Sequence, residues 1–306
     1  MNDLSQPFVS VIIPVFNDSA RLKICLHALD NQTYPKDRYE VIVVNNGSDE
    51  DIESVVKSFN QAIVTEENRP GSYAARNKGI SFAQGEVIAF TDADCIPASD
   101  WIEKGVANLQ RTPNCGLVAG KIELFFKNPE RPTAVELYDN IKLGFPQKKF
   151  VEESRYGATA NVFTFRRVIE AVGLFDDTLK SSGDREWGQR VFAAGYQLVY
   201  ADDACVSHPA RHSWAELRKK VVRVIGGHQD LKGKRESSPL KFTINALKDS
   251  FKDLLPPLRM YFYIWSYETL KGNRQRFQFL IAMLFVRHLR AWERVRLLIG
   301  GEATRG

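Results

Sequence analysis

Apolar residues recur along this chain in short runs separated by polar turns, and the spacing inside each run identifies an element. Residues 8–13 read Phe-Val-Ser-Val-Ile-Ile and are closed by Pro14, which predicts a strand. Within 20–31, Leu22, Cys25, Leu26 and Leu29 fall at helical spacing, with Asp18 or Ser19 available as the N-terminal cap. Residues 39–44 predict a second strand, which runs into the turn Asn45-Asn46-Gly47-Ser48-Asp49. A helix over 51–59, a short strand over 62–65 and a helix over 72–83 follow. Residues 87–90, Val-Ile-Ala-Phe, are apolar throughout and predict a buried strand. Strands alternating with helices in this way argue for right-handed βαβ units and an α/β fold with a mostly parallel central sheet.

The pattern changes after Pro97. A helix is expected over 101–110, one or two strands over 116–126 and a helix over 133–143. Residues 144–156 are polar, basic and without a period, so a mobile loop is expected there. A strand over 158–165 and a helix over 166–172, ended by Gly173, come next. Residues 174–183 read as a loop, 184–194 as a helix stopped by Gly195, and 197–200 as a strand followed by a turn at 201–203. The sequence carries no internal repeat.

Composition adds one asymmetry. The 306 residues are 44% hydrophobic and 26% charged, an ordinary globular balance for one large or two small domains. The net charge of +5 is unevenly placed: residues 215–306 hold 19 basic and 8 acidic side chains, whereas 1–214 hold 23 and 29. A basic C-terminal stretch on a slightly acidic body suits an anionic surface, a membrane or a nucleic acid. Cys25, Cys95, Cys115 and Cys205 form no C-x-x-C pair, so a zinc ribbon is excluded and reduced thiols are expected. The G-x-G-x-x-G and G-x-x-x-x-G-K-[ST] fingerprints are absent, which removes the ordinary dinucleotide and P-loop readings. No signal peptide opens the chain, and no apolar run approaches the about 20 residues that span a bilayer. A cytoplasmic protein, peripheral on the inner face of the membrane if attached at all, is expected.

The candidate chemistry gathers at the end of the 87–90 strand, where Asp92 and Asp94 follow. At i and i+2 of an extended chain both carboxylates leave the same face. Their repulsion is relieved by a hard divalent cation, Mn²⁺ or Mg²⁺, which keeps positions open for phosphate oxygens. Taken alone, Asp-Ala-Asp is a weak signal and favours a turn.

Further stretches change that balance. Val9-Ser10-Val11-Ile12-Ile13-Pro14-Val15-Phe16-Asn17, Val43-Val44-Asn45-Asn46-Gly47-Ser48-Asp49, Ala75-Arg76-Asn77-Lys78-Gly79, Phe90-Thr91-Asp92-Ala93-Asp94 and Ser182-Gly183-Asp184-Arg185-Glu186-Trp187 occur in that order. Over residues 8 to about 208 the chain resembles the family 2 glycosyltransferases of the GT-A fold. The resemblance implies transfer of a sugar from a nucleoside-diphosphate donor, usually with inversion, to a glycan or lipid-linked acceptor; no nucleic-acid partner is expected. It divides the chain into a nucleotide-sugar half (1–100), an acceptor and catalytic half (101–228) and a helical basic extension (229–306).

Residue by residue, the resemblance puts base and ribose at Pro14, Val15, Asn17, Asn45 and Asn46. Many relatives carry Asp in the second of these turns; an amide there suits a uracil edge, so a UDP-linked donor is expected. Arg76 and Lys78 fall beside the diphosphate, or on a solvated helix face. Asp92, Ala93 and Asp94 meet donor and metal, with His208, or His212, completing the metal site. Asp184 is the general base, or the cap of its helix; relatives often carry Glu where Gly183 stands. Glu186, Trp187 and Asn161 are expected at the acceptor. Cys95 is expected to pack rather than ligate. A sugar-phosphate nucleotidyltransferase would need a Gly-rich loop with Lys after the first strand, which residues 14–17 lack. A scaffold without activity would have no need of all three aspartates. In the basic extension, Arg218, Lys219, Lys220 and Arg223, then the apolar stretches 260–265 and 277–286 bordered by Lys271, Arg274, Arg276, Arg287 and Arg290, suit a membrane headgroup region. Packing on the catalytic body or a dimer contact is the alternative.

Overall fold

The computed structural model describes residues 6–235, 239–255 and 264–302. The strand predicted first, β1 (Val9–Val15), lies between β2 (Tyr39–Asn45) and β4 (Val87–Thr91), parallel to both, with Val9 level with Tyr39 and with Val87. β3 (Ala62–Glu66) adds in parallel to β2. β1, β2 and β4 are buried along nearly their whole length, as parallel strands enclosed on both faces are, whereas β3 at the edge is partly exposed. Among the described residues the sheet has eight strands in the order β3-β2-β1-β4-β7-β6-β8-β5. Beyond β4 the direction changes: β7 (Asn161–Phe165) runs antiparallel to β4 and to β6 (Cys115–Phe125), and β5 (Ile96–Pro97) runs antiparallel to β8 (Gln197–Pro209). The sheet is therefore parallel in its first four strands and mixed overall.

The helices expected in the first hundred residues form as α1 (Ser19–Asp30), α2 (Ile52–Val56) and α3 (Ser72–Phe82). α2 is shorter than its pattern; the side chain of Asp51 caps it through the Ser54 N–H at 3.0 Å. α3 lies unusually close to the sheet. A Cβ on Gly79 would overlap Ile12 Cγ2 and press on Val44, so glycine is required by contact rather than by backbone angle. After α4 (Trp101–Arg111), the expected helix over 133–143 splits into α5 (Ala134–Tyr138), opened by a Thr133–Glu136 capping box, and a π-helical turn at Asp139–Leu143.

Two expectations are corrected. Residues 144–156 form ordered helical turns, α6 (Gln147–Lys149) followed by a π-turn at Phe150–Ser154. The Gln147 amide is buried; it donates to the carbonyls of Ala158 (3.2 Å) and Asn161 (3.1 Å) and accepts from the Ala158 N–H (2.8 Å). A π-turn shifts the side-chain period, which is why no helical spacing was legible. The turn expected at 201–203 is the middle of β8, where Ala201 and Ala204 are buried and Asp203 accepts from Asn108 Nδ2 at 2.8 Å. α7 (Arg166–Val172) ends at Gly173 as the pattern required, and α8 is Gly183–Ala193.

The chain divides into two compact units. One comprises Met1–Glu123, Phe145–Thr178 and Gly183–His208; the other comprises Leu124–Gly144, Leu179–Ser182 and Pro209–Gly306. Both sides of position 100 lie in the first unit. The first unit's core gathers Val11, Ile13, Leu26, Val43, Trp101 and Phe163. The second contains α9 (Trp214–Arg235), α10 (Pro239–Leu254) and α11 (Gly272–Leu298). Phe279, Met283 and Val286 of α11 are buried with Tyr138 and Leu217. The apolar run 277–286 therefore serves largely as core. Residues 260–263, expected as membrane-facing, lie outside the described residues.

Gly79→Ala is expected to destabilise the protein by about 1–3 kcal/mol through overpacking against Ile12. Urea denaturation would detect it as a lower midpoint at unchanged m-value.

Candidate active site

The site is assembled at the carboxyl ends of β1, β2 and β4, where α/β sheets expose their loops. The turn after β4 is held by the Cys95 N–H donating to the Asp92 carbonyl at 3.0 Å and by Thr91 Oγ1 donating to the Ala160 carbonyl at 3.1 Å. Asp92 and Asp94 then leave this turn on separate partners. Asp92 Oδ1 is ion-paired with Arg76 Nη2. Arg76 is buried; its Nη1 donates to the Ser72 carbonyl at 3.4 Å, and its Nε has no hydrogen-bond partner in the structure. Asp94 Oδ2 lies 3.5 Å from His208 Nε2 and 3.8 Å from Arg21 Nη1. Burial pushes the Asp94 carboxyl above the usual range; His208 opposes that shift and Asp92 adds to it. His208 is itself buried, its ring 4.9 Å from that of Phe145.

Asp94, Cys95 and His208 each offer one potential ligand atom, all within 4.8 Å of one another. Burial holds the Cys95 thiol well above its ordinary pKa, so it stays protonated and is no ligand for a hard ion. The remaining oxygen and nitrogen donors, with Asp92 alongside, fit a divalent ion that keeps positions open to phosphate oxygens. His212 belongs to the second unit and lies 3.5 Å from Glu216; His208 is the imidazole beside Asp94.

The loops after β1 and β2 are tied together. Asn17, in the left-handed region at φ 49°, accepts from the Asp49 N–H at 2.8 Å, and its own N–H donates to Ser48 Oγ at 2.9 Å. The Val15 carbonyl accepts the Asn46 N–H at 2.9 Å, and Asn45 Oδ1 accepts the Ser48 N–H at 3.0 Å. Asn46 is otherwise engaged than expected. Its Nδ2 donates to the carbonyls of Glu67 (2.7 Å) and Arg69 (2.8 Å), and its Oδ1 accepts the Gly71 N–H at 2.7 Å. The amide clamps the segment leading into α3, which a carboxylate, having no donor, would not do. Both N–H donors of the Asn46 amide and one lone pair of its oxygen are therefore committed to the backbone of residues 67–71. Pro14 sits within β1, and Ala93 is buried. Lys78 lies over the Phe82 ring at 5.1 Å, so of the two α3 cations it is Arg76 that reaches the aspartates.

Asp184 stands in the first turn of α8, where its Oδ1 accepts the Arg185 N–H at 2.9 Å. Two tyrosines flank it, Tyr73 buried and Tyr156 half-buried. The Tyr73 ring packs against Gly183, where a Cβ would come within 2.7 Å, and the backbone N–H groups of Gly183 and Asp184 face its hydroxyl. Burial, then the Asp184 charge, push the hydroxyls of Tyr73 and Tyr156 upward. Sequence reasoning missed Tyr73, Tyr156 and Arg21, because no local pattern marks a residue whose partner lies elsewhere in the chain.

The acceptor residues are corrected in part. Asn161 is fully buried; its Oδ1 accepts Trp101 Nε1 at 2.8 Å, and its Nδ2 donates to the carbonyls of Lys121 (2.8 Å) and Ala204 (2.9 Å). Trp187 is buried too, its Nε1 donating to the Gly173 carbonyl at 3.0 Å and its ring 5.1 Å from Phe175. Neither presents a surface to a sugar. Glu186 is held by Arg190 through contacts of 2.7 and 3.0 Å.

Comparison with known proteins agrees with this architecture. The family model "Glycosyl transferase family 2" matches residues 10–172. Glycosyltransferase AglE of Haloferax volcanii is 42% identical over 226 residues, covering 72% of this chain and 73% of that one. A dolichyl N-acetyl-α-D-glucosaminyl phosphate 3-β-D-2,3-diacetamido-2,3-dideoxy-β-D-glucuronosyltransferase of Methanococcus voltae is 25% identical over 228 residues, 70% and 71% of the two chains. The mannosyltransferase PcManGT of Pyrobaculum calidifontis, solved with GDP-Man and Mn²⁺, superposes with a TM-score of 0.62 at 19% identity, covering 94% of this chain and 88% of its own, and shares the fold. The matched region runs from β1 to the end of α7 and takes in the Asp92/Asp94 turn and the loops tied around it: the chain belongs to glycosyl transferase family 2 and is a glycosyltransferase of the GT-A fold.

Proposed function

We propose that the protein moves a sugar from a nucleoside-diphosphate donor, UDP-linked, to the hydroxyl of a glycan or lipid-linked acceptor, with inversion and with the help of a divalent cation. The observation that carries this reading is the pairing at the end of β4, with Asp92 on the buried Arg76 and Asp94 on the buried His208. Asp94 and His208, with Asp92 beside them, would hold Mn²⁺ or Mg²⁺; when bound, the ion acts as a Lewis acid that takes up charge on the departing diphosphate. Arg76 adds a fixed cation at the same strand end, preorganised because burial and its ion pair leave it one position. Base and ribose fall to Pro14, Val15 and Asn17, and to Asn45 rather than Asn46, whose amide is committed to residues 67–71. Lys78 contributes at most at the rim of the diphosphate.

Asp184 accepts the proton of the acceptor hydroxyl as its oxygen attacks the anomeric carbon. The bond to the diphosphate breaks, and its electron pair leaves with the nucleoside diphosphate. Tyr73 fixes the start of α8 and thereby the direction of the Asp184 carboxylate. Glu186, held by Arg190, is the remaining acceptor candidate, because Asn161 and Trp187 are enclosed. The lipid-linked class of acceptor draws support from the dolichyl phosphate acceptor in the name of the Methanococcus voltae relative.

Titration calorimetry of UDP against the protein, with and without Mn²⁺, tests the reading. Wild type should bind more tightly with the ion, and Asp94→Ala should lose that dependence; a metal-independent wild type would overturn it. Asp184→Asn should keep UDP binding while lowering kcat by about 10²–10⁴-fold, measured as single-turnover transfer. Tyr73→Phe keeps the ring and removes the oxygen that faces the N–H groups opening α8. It should cost about 1 kcal/mol in denaturant unfolding and lower kcat with little change in donor KM.

A further inference from the structure

α10 carries an apolar face that the described residues of its own unit leave exposed. Leu240, Ile244, Leu247, Phe251 and Leu254 recur at intervals of four and three and so share one side of the helix. They are between 41% and 70% exposed. The helix is nonetheless docked on its other side. Ala246 and Ser250 are buried, and Asp253 pairs with Arg294 at 2.7 Å and with Arg287 at 3.8 Å, both on α11. The apolar stripe is thus a second face and not the result of a helix rolled out of register. Lys248 and Lys252, exposed and one turn apart, follow one edge of the stripe. Trp292 of α11 and Ile299 just after it are 67% and 80% exposed, which extends the apolar character of the unit's surface.

A row of large aliphatic and aromatic side chains, docked from behind and edged by lysines, has the chemistry of a helix that lies in the plane of a bilayer. No helix among the described residues is long and apolar enough to cross one. Charge selects the occupant. The chain from residue 215 onward carries 19 basic against 8 acidic residues, so a second copy would bring like charges together, whereas acidic lipid headgroups would neutralise them. We propose that α10 is a membrane-docking helix. Its stripe enters the boundary between headgroups and acyl chains of an anionic bilayer, and Lys248 and Lys252 meet lipid phosphates.

Co-sedimentation of the full chain with vesicles tests this, using phosphatidylcholine alone and phosphatidylcholine with phosphatidylglycerol, in the absence of donor and acceptor. Binding is expected to the anionic vesicles and to weaken with salt. Leu247→Ser with Phe251→Ser should reduce it by about tenfold or more, and Lys248→Gln with Lys252→Gln by about tenfold or more on the anionic vesicles alone. All four side chains are exposed, so the variants should unfold at the wild-type temperature. No binding by wild type, or binding unaffected by Leu247→Ser with Phe251→Ser, would overturn the proposal. So would a wild-type dimer in light scattering that those two substitutions convert to monomer, since the stripe would then be a contact between copies. Neither donor nor acceptor enters the assay, so its failure would leave the sugar-transfer reading standing.

Discussion

The site depends on how closely α3 lies against the sheet. Gly79 lets the helix backbone settle on Ile12 and Val44, and from that distance Arg76 reaches Asp92. Two aspartates on one strand end repel each other, and burial raises the cost of charging Asp94. Arg76 answers one of those charges and His208 faces the other. A buried guanidinium left without its carboxylate would be an uncompensated charge, so the pair holds α3 and the turn after β4 in one register.

Other α3 residues extend the same control. Asn77 exchanges two hydrogen bonds with the backbone of Phe175, at 2.9 and 3.1 Å. The Phe175 ring then packs against Tyr73, Phe90 and Trp187. Tyr73 in turn packs its ring on Gly183, at the opening of α8 and next to Asp184. The start of α3 is in turn clamped by Asn46 through the carbonyls of Glu67 and Arg69 and the N–H of Gly71. One helix of eleven residues thus connects the loop after β2, the carboxylates after β4 and the aspartate on α8.

What was legible from residue order was local. Val9–Val15, Tyr39–Asn45 and Val87–Thr91 are strands because their apolar runs are short, β-rich and closed by turn residues. Asp92 and Asp94 stood out because two carboxylates on one face need an explanation that a core does not supply. Where a residue's partner lay far along the chain, the pattern was silent or misleading. Asn161 and Trp187 have the chemistry of sugar contacts, yet their polar atoms are consumed by Trp101 and Ala204 in one case and by Gly173 in the other. Residues 144–156 read as a loop because a π-turn scatters Phe145, Phe150 and Val151 off the helical period.

The order of residues by itself determined the alternation of strands and helices, the placing of a carboxylate pair at a strand end, and the membership of the chain in its family. The first two depend on neighbours within a few positions, which spacing along the backbone encodes directly; the third rests on separated stretches that resemble the family. Only the tertiary structure decided that Asp94 meets His208 and not His212, that Asn46 clamps a loop, that Tyr73 stands behind Asp184, and which side of α10 stays uncovered. Those outcomes follow from which side chains compete for the same buried partner once the elements have packed, and that competition has no trace in a linear pattern.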